Sequence, residues 1–180
     1  TAAQGLQRVR EKLKAGKPIT LVTMGDSLTD FNHWANKPVN WPTLLKDALR
    51  EKYRSEVTVI NPAIGGTEAR QNLILMPRWL SKTPEPDLVT ICFGFNDFNS
   101  GMRGEMFRQT LLEAVERIRL LTHGKADVLV ITICRALEKW DTFAELADAA
   151  RKAASEKNAG VADIYEALTQ QTPTWADNRT

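Results

Sequence analysis

The chain has 180 residues, 43% hydrophobic and 26% charged, enough for one domain with a buried core. Its 24 basic and 22 acidic residues leave a formal net charge of +2, a balance that gives no reason to invoke nucleic acid or an anionic membrane surface. No apolar run approaches the roughly 18 residues that a membrane span requires.

In chain order, Leu6, Val9 and Leu13 mark a helix that Gly16 closes, and it leads into a first buried strand, Ile19 to Met24. Leu45, Ala48, Leu49 and Tyr53 form an apolar stripe after Trp41-Pro42, a helix entry with proline in the first turn. A second strand runs from Val57 to Ile60 and a third from Leu88 to Phe93. Phe107, Leu111, Ala114, Val115, Ile118 and Leu121 form a longer helical stripe ending at Gly124. A fourth strand, Val128 to Cys134, a helix carrying Trp140, Phe143, Leu146, Ala147 and Ala150, and a fifth strand, Val161 to Ile164, complete the pattern. Strands alternating with helices predict one α/β domain built on a parallel sheet with helices on both faces. Cys92 and Cys134 lie inside the third and fourth apolar runs and read as buried free thiols; two cysteines are too few for a disulfide framework or a thiolate zinc site.

A parallel α/β sheet places its ligand site at the carboxyl ends of its strands. The residues just past those ends are Gly25-Asp26-Ser27-Leu28-Thr29, then Asn61 to Gly65-Gly66-Thr67, then Gly94-Phe95-Asn96-Asp97. Taken singly, each has a plain explanation: Asp and Ser form turns and helix caps, glycine supplies positive φ, and Asn forms Asx-turns. Together they bring one hydroxyl nucleophile and three potential oxyanion donors, the Ser27 and Gly66 N–H groups and the Asn96 amide, to adjacent strand ends.

In order and spacing these three segments resemble the first three sequence blocks of the SGNH/GDSL hydrolase family, and Trp41-Pro42-Thr43-Leu44-Leu45 resembles the helix after the first block. The resemblance implies a flavodoxin-like three-layer fold with strand order 2-1-3-4-5. It also implies hydrolysis of carboxylic esters through an acyl-serine intermediate, with no metal or organic cofactor and a small ester as the partner molecule. It assigns Ser27 as nucleophile and Gly66 and Asn96 as the rest of the oxyanion hole. Asp26, His33 and Phe95 are the expected substrate contacts. Phe31, Trp34 and Phe98 stand near the same cleft, where aromatic rings suit a sugar or an acyl chain.

The family's last block, an Asp followed three residues later by His, is where this chain departs. A serine needs a base within about 2.6–3.2 Å, and the chain has two histidines. His123 ends the helix before the fourth strand and so falls at the amino edge of the sheet. His33, six residues past Ser27, would face another side if that stretch were helical. Asp177 in Trp175-Ala176-Asp177-Asn178 stands as the acid of the missing block, but Thr180 occupies the histidine's place. The expectation is a hydrolase domain over residues 1–180 that lacks its C-terminal end. The chain begins at Thr1, as a cleaved signal peptide or a trimmed start would leave it, which tilts the location only slightly toward secreted or periplasmic.

Other chemistries fit less well. A haloacid-dehalogenase-type phosphatase wants a second aspartate where Leu28 stands, and the P-loop and dinucleotide fingerprints are absent. Asp26, Asp30 and Asp97 have no spacing that suits a hard metal ion. The alternative from another class is an inactive SGNH-like module that binds an acyl or acetylated-sugar ligand.

Overall fold

The computed structural model describes residues 5–37, 39–83, 85–134 and 140–171, without the side chains of 140–142. Among these residues, seven α-helices and five strands follow in the order α1 (Gln7–Lys14), β1 (Ile19–Gly25), α2 (Trp41–Tyr53), β2 (Val57–Ile60), α3 (Ala69–Leu80), β3 (Leu88–Cys92), α4 (Phe95–Asn99), α5 (Gly104–Leu121), β4 (Asp127–Ile131), α6 (Trp140–Glu156), β5 (Gly160–Ala162) and α7 (Ile164–Gln170), with a short 3-10 helix at Trp34–Asn36. All strand pairs are parallel and the sheet order is β2-β1-β3-β4-β5, the order that the family resemblance implied.

The two-residue alternation of a strand divides the core between the two faces of the sheet. Val22 and Met24 of β1, Val89 and Ile91 of β3, and Val128 and Val130 of β4 meet Met76 of α3, Phe107, Val115 and Ile118 of α5, and Phe143 and Leu146 of α6. On the opposite face Ile19, Leu21, Val57 and Leu88 pack with Val9 and Leu13 of α1 and with Leu45, Leu49 and Tyr53 of α2. β1 and β3 are buried along nearly their whole length, so the loops that leave their carboxyl ends start from rigid positions.

Local signals explain most element ends. Asn40 accepts the Thr43 N–H at 2.9 Å and so caps α2, whose first turn holds Pro42. The fourth and fifth strands end earlier than their apolar runs. Asp163 accepts the Glu166 N–H at 3.1 Å and caps α7, and Thr132, whose own N–H still reaches the Ala162 carbonyl at 3.0 Å, accepts the Tyr165 N–H on its Oγ1 at 2.9 Å, so the chain past β5 turns into helix. The helix α3 was hidden in the sequence because Pro77 lies inside it. Proline cannot donate to the carbonyl four residues earlier, and Arg117 of α5 donates to that carbonyl, Leu73 O, at 3.0 Å.

Candidate active site

The first strand runs straight into the Ser27 loop because Gly25 has no side chain. A Cβ there would lie 2.3 Å from Thr29 Oγ1 and 2.9 Å from the Cys92 carbonyl oxygen. Asp26 then organises the turn. Its Oδ1 accepts the Leu28 N–H at 2.9 Å, and its backbone carbonyl accepts the N–H groups of Thr29 and Asp30, each at 3.0 Å. Asp26 is 1% exposed, and burial pushes its carboxyl's pKa above the ordinary carboxylate value. Asp26 therefore sits beneath the nucleophile loop as a turn-forming residue.

Two asparagines hold this loop from outside. Asn36 Nδ2 donates to the carbonyls of Ser27 (2.6 Å) and Asp30 (2.7 Å). Asn61, at the end of β2, donates to Thr23 Oγ1 (2.7 Å) and the Thr29 carbonyl (2.8 Å) and accepts the Phe31 N–H (3.2 Å). Sequence reasoning gave neither asparagine a role; only Asn61's place after a strand hinted at one.

The turn after β2 comes next to it. The Ile64 N–H donates to the Gly25 carbonyl at 3.2 Å, the Gly65 N–H to Asp30 Oδ2 at 3.1 Å, and the Thr67 N–H to the Ile64 carbonyl at 3.4 Å. Gly66 has φ +77°, the conformation that the third residue of a type II turn demands and that favours glycine. Ser27 Cβ and His33 Cδ2 stand 3.7 and 3.5 Å from the point where a side chain on Gly65 would begin, so the three residues border one small space. After β3, Asn96 Nδ2 donates to the Thr67 carbonyl at 3.0 Å. Asp97 is fully buried; its Oδ1 accepts the Ala69 N–H at 2.9 Å, where α3 begins. Its Oδ2 has no partner among the described residues, and burial pushes its pKa up to about 6.

Ser27, Gly66 and Asn96 thus lie at the carboxyl ends of three neighbouring strands, β1, β2 and β3. The N–H groups of Ser27 and Gly66 and the Ser27 hydroxyl have no hydrogen-bond partner among the described residues. The stretch from Ser27 to His33 is a series of turns, so the helical spacing that would have turned His33 away does not apply. His33 Nδ1 accepts the Ala35 N–H at 3.4 Å and its ring lies 5.4 Å from that of Trp34, which is 79% exposed. His123 lies in the connection from α5 to β4, at the opposite edge of the sheet. Asp177 lies outside the described residues.

On the α2 face, beside the loop, an apolar pocket of about 490 Å³ is lined by Leu28, Trp41, Phe95, Leu129, Ile131 and Ile133 among others, with Asp26 in its wall. Phe95 also meets the edge of Phe143, with ring centroids 5.9 Å apart. Cys92 and Cys134 border this pocket as free, half-buried thiols, and burial pushes Cys92 up to about 12. Among the described residues no helix is long and apolar enough to cross a membrane, and no three His, Cys, Asp or Glu side chains gather as a metal site needs.

Comparison with known proteins gives the family. The thioesterase 1/protease 1/lysophospholipase L1 of Escherichia coli (strain K12) is 30% identical over 106 residues, covering 59% of this chain and 48% of that protein. The chain therefore spans about half the length of the curated relatives it matches. Among solved structures, an acetyl-xylooligosaccharide esterase from Geobacillus Stearmophilus superposes with a TM-score of 0.65 at 20% identity, covering 87% of this chain and 82% of that one. A psychrotrophic esterase from Pseudoalteromonas sp., inhibited by monoethylphosphonate, superposes with a TM-score of 0.65 at 17% identity, covering 88% and 99%. Residues 23–180 match the GDSL-like lipase/acylhydrolase family, and the chain belongs to it.

Proposed function

We propose that this chain carries the nucleophile and oxyanion hole of a serine esterase acting on small carboxylic esters. The observation that carries the reading is the pair of unpaired N–H groups, Ser27 and Gly66, beside an unpaired serine hydroxyl where three strands end. Backbone amides left free in a folded loop are costly unless water or a ligand takes them, and an oxyanion is the ligand they suit.

In this reading Ser27 Oγ attacks the ester carbonyl carbon while its proton passes to a general base. The carbonyl oxygen takes up negative charge between the N–H groups of Ser27 and Gly66 and the Asn96 amide. As the tetrahedral intermediate collapses, the base returns the proton to the departing alcohol, leaving an acyl-serine that water hydrolyses by the same route. No metal or organic cofactor takes part. In the family this base is the histidine of the Asp-x-x-His block; Asp177 is the candidate acid of that block here, with Thr180 at the position three residues on. His33 and Phe95 border the substrate, Asp26 acts from beneath through the turn it forms, and short acyl or acetyl esters, carbohydrate esters among them, are the proposed class.

A second reading draws on His33. His33 borders the same space as Ser27, but its Nδ1 lone pair is engaged by the Ala35 N–H, and His123 is at the far edge of the sheet, so neither offers Ser27 a free base. That favours a binding module that keeps the anion pocket without turnover. The decisive experiment is Ser27→Ala in the natural-length protein, with p-nitrophenyl acetate as substrate and a phosphonate as covalent probe. Loss of turnover and of the phosphonate adduct, with the melting temperature kept, supports the esterase. Turnover that survives in a folded Ser27→Ala protein refutes it.

A further inference from the structure

The turn from Ile64 to Thr67 has an unusual distribution of amides. Three of its four N–H groups are tied: Ile64 to the Gly25 carbonyl, Thr67 to the Ile64 carbonyl, and Gly65 to the Asp30 carboxylate. The fourth, Gly66, has no partner among the described residues. Of the three ties, two are backbone to backbone, and Asp30 is the one side chain among the described residues that accepts an amide of this turn. Asp30 is also part of the nucleophile loop, since its own N–H donates to the Asp26 carbonyl at 3.0 Å. Its two carboxylate oxygens do separate tasks: Oδ1 accepts the Asn32 N–H at 2.8 Å inside the loop, and Oδ2 accepts the Gly65 N–H at 3.1 Å across to β2's turn.

We propose that Asp30 is a positioning residue that fixes the Gly66 amide relative to Ser27. The proposal rests on the oxyanion-hole reading above. Oxyanion donors work only where they already point at the developing charge, so the orientation of a glycine turn must be held by something stiffer than the turn itself. Neighbouring peptide planes share an α-carbon, so pinning the Gly65 N–H restricts the direction in which the Gly66 N–H can point. A carboxylate suits this place because two N–H donors approach it from different segments and each takes an oxygen. An asparagine would offer one oxygen and set its NH₂ against the other donor. The Asp30 charge also repels an oxyanion, an effect that salt screens while the positional effect persists.

The test uses Asp30→Ala and Asp30→Asn in the natural-length protein at about 0.5 M salt, where charge repulsion is largely screened. Asp30→Ala should lower kcat about tenfold, less than loss of a direct donor, with KM within about twofold. Hydrogen exchange at the Gly65 amide should speed up about tenfold as its acceptor is lost. Asp30→Asn, which keeps one oxygen, should lie between Asp30→Ala and wild type in both. Unchanged exchange at Gly65 would show that Asp30 does not hold the turn. Faster exchange with unchanged kcat, or a lower melting temperature alone, would make Asp30 merely structural and also overturn the proposal. If the wild-type protein hydrolyses no ester, the esterase reading fails and the positioning role with it, and a Gly65 exchange response would mark that as the failing premise.

Discussion

Asn96 reaches from the end of β3 to the Thr67 carbonyl, 3.0 Å away, and so ties the β2–α3 turn to the third strand. One N–H of its amide is engaged in this tie and the other has no partner among the described residues. Asn96→Ala removes both, so kcat for p-nitrophenyl acetate should fall about 10²–10³-fold with a smaller change in KM, because the lost interaction forms mainly in the transition state. Steady-state kinetics checks this. A change confined to KM would make Asn96 a ground-state contact.

His33 borders the same space as Ser27 yet uses Nδ1 to cap the turn of residues 34–36. His33→Ala should alter KM and leave the pH profile of kcat/KM in place. That profile should fall as the pH drops through the pKa of another histidine, roughly 6–7 beside a carboxylate. Hydrolysis by residues 1–180 alone should be slow, and Thr180→His, which completes an Asp-x-x-His block beginning at Asp177, should raise it. Stopped-flow rates from pH 5 to 9 for both forms would decide it. Full activity of residues 1–180, lost on changing His33, would make His33 the base.

Asp97 offers a test of stability. Its folded pKa, about 6, lies above the unfolded value near 3.8, so the folded protein holds this proton more tightly. The stability it lends is therefore fully present below the unfolded value and is lost as the pH rises through about 6. The loss is on the order of 2–3 kcal/mol. Asp97→Asn cannot lose a proton, so the difference in urea stability between wild type and variant should move in the variant's favour between pH 4 and 7. A difference that stays flat over that window would show that Asp97 does not titrate there.

The contact of Arg117 with the Leu73 carbonyl predicts a coupling across 44 residues. Arg117→Ala leaves a part-buried carbonyl without a donor and should cost about 1–2 kcal/mol in urea denaturation. In a Pro77→Ala background the helix regains an N–H for Leu73, and the same change should cost about 1 kcal/mol less. Equal costs in the two backgrounds would deny the compensation.

The strands were legible because each is an apolar, β-branched run bounded by turn residues. β1 and β2 appear within one residue of their predicted ends. The convergence of Ser27, Gly66 and Asn96 was legible too, since a parallel sheet brings its strand ends to one edge. What escaped depended on pairings between distant residues. Pro77 reads as a helix breaker until Arg117, on another helix, satisfies the carbonyl it strands. Thr132 looks like strand until its hydroxyl takes the Tyr165 amide. Asp30 looks like a surface turn residue, because its second acceptor oxygen serves a glycine 35 positions along the chain.

Two of the three proposed anion donors belong to the main chain, at Ser27 and Gly66. A side-chain substitution at position 27 deletes the hydroxyl and leaves its amide in place. Removing the hydroxyl therefore ends turnover without touching the two main-chain donors, and Ser27→Ala should leave a non-catalytic binder. Such a protein could hold an intact ester or its product acid in the pocket, which makes it a trap for natural ligands. In this lineage, loss of turnover would not require loss of recognition, and a duplicated copy could pass from enzyme to receptor without rebuilding its fold.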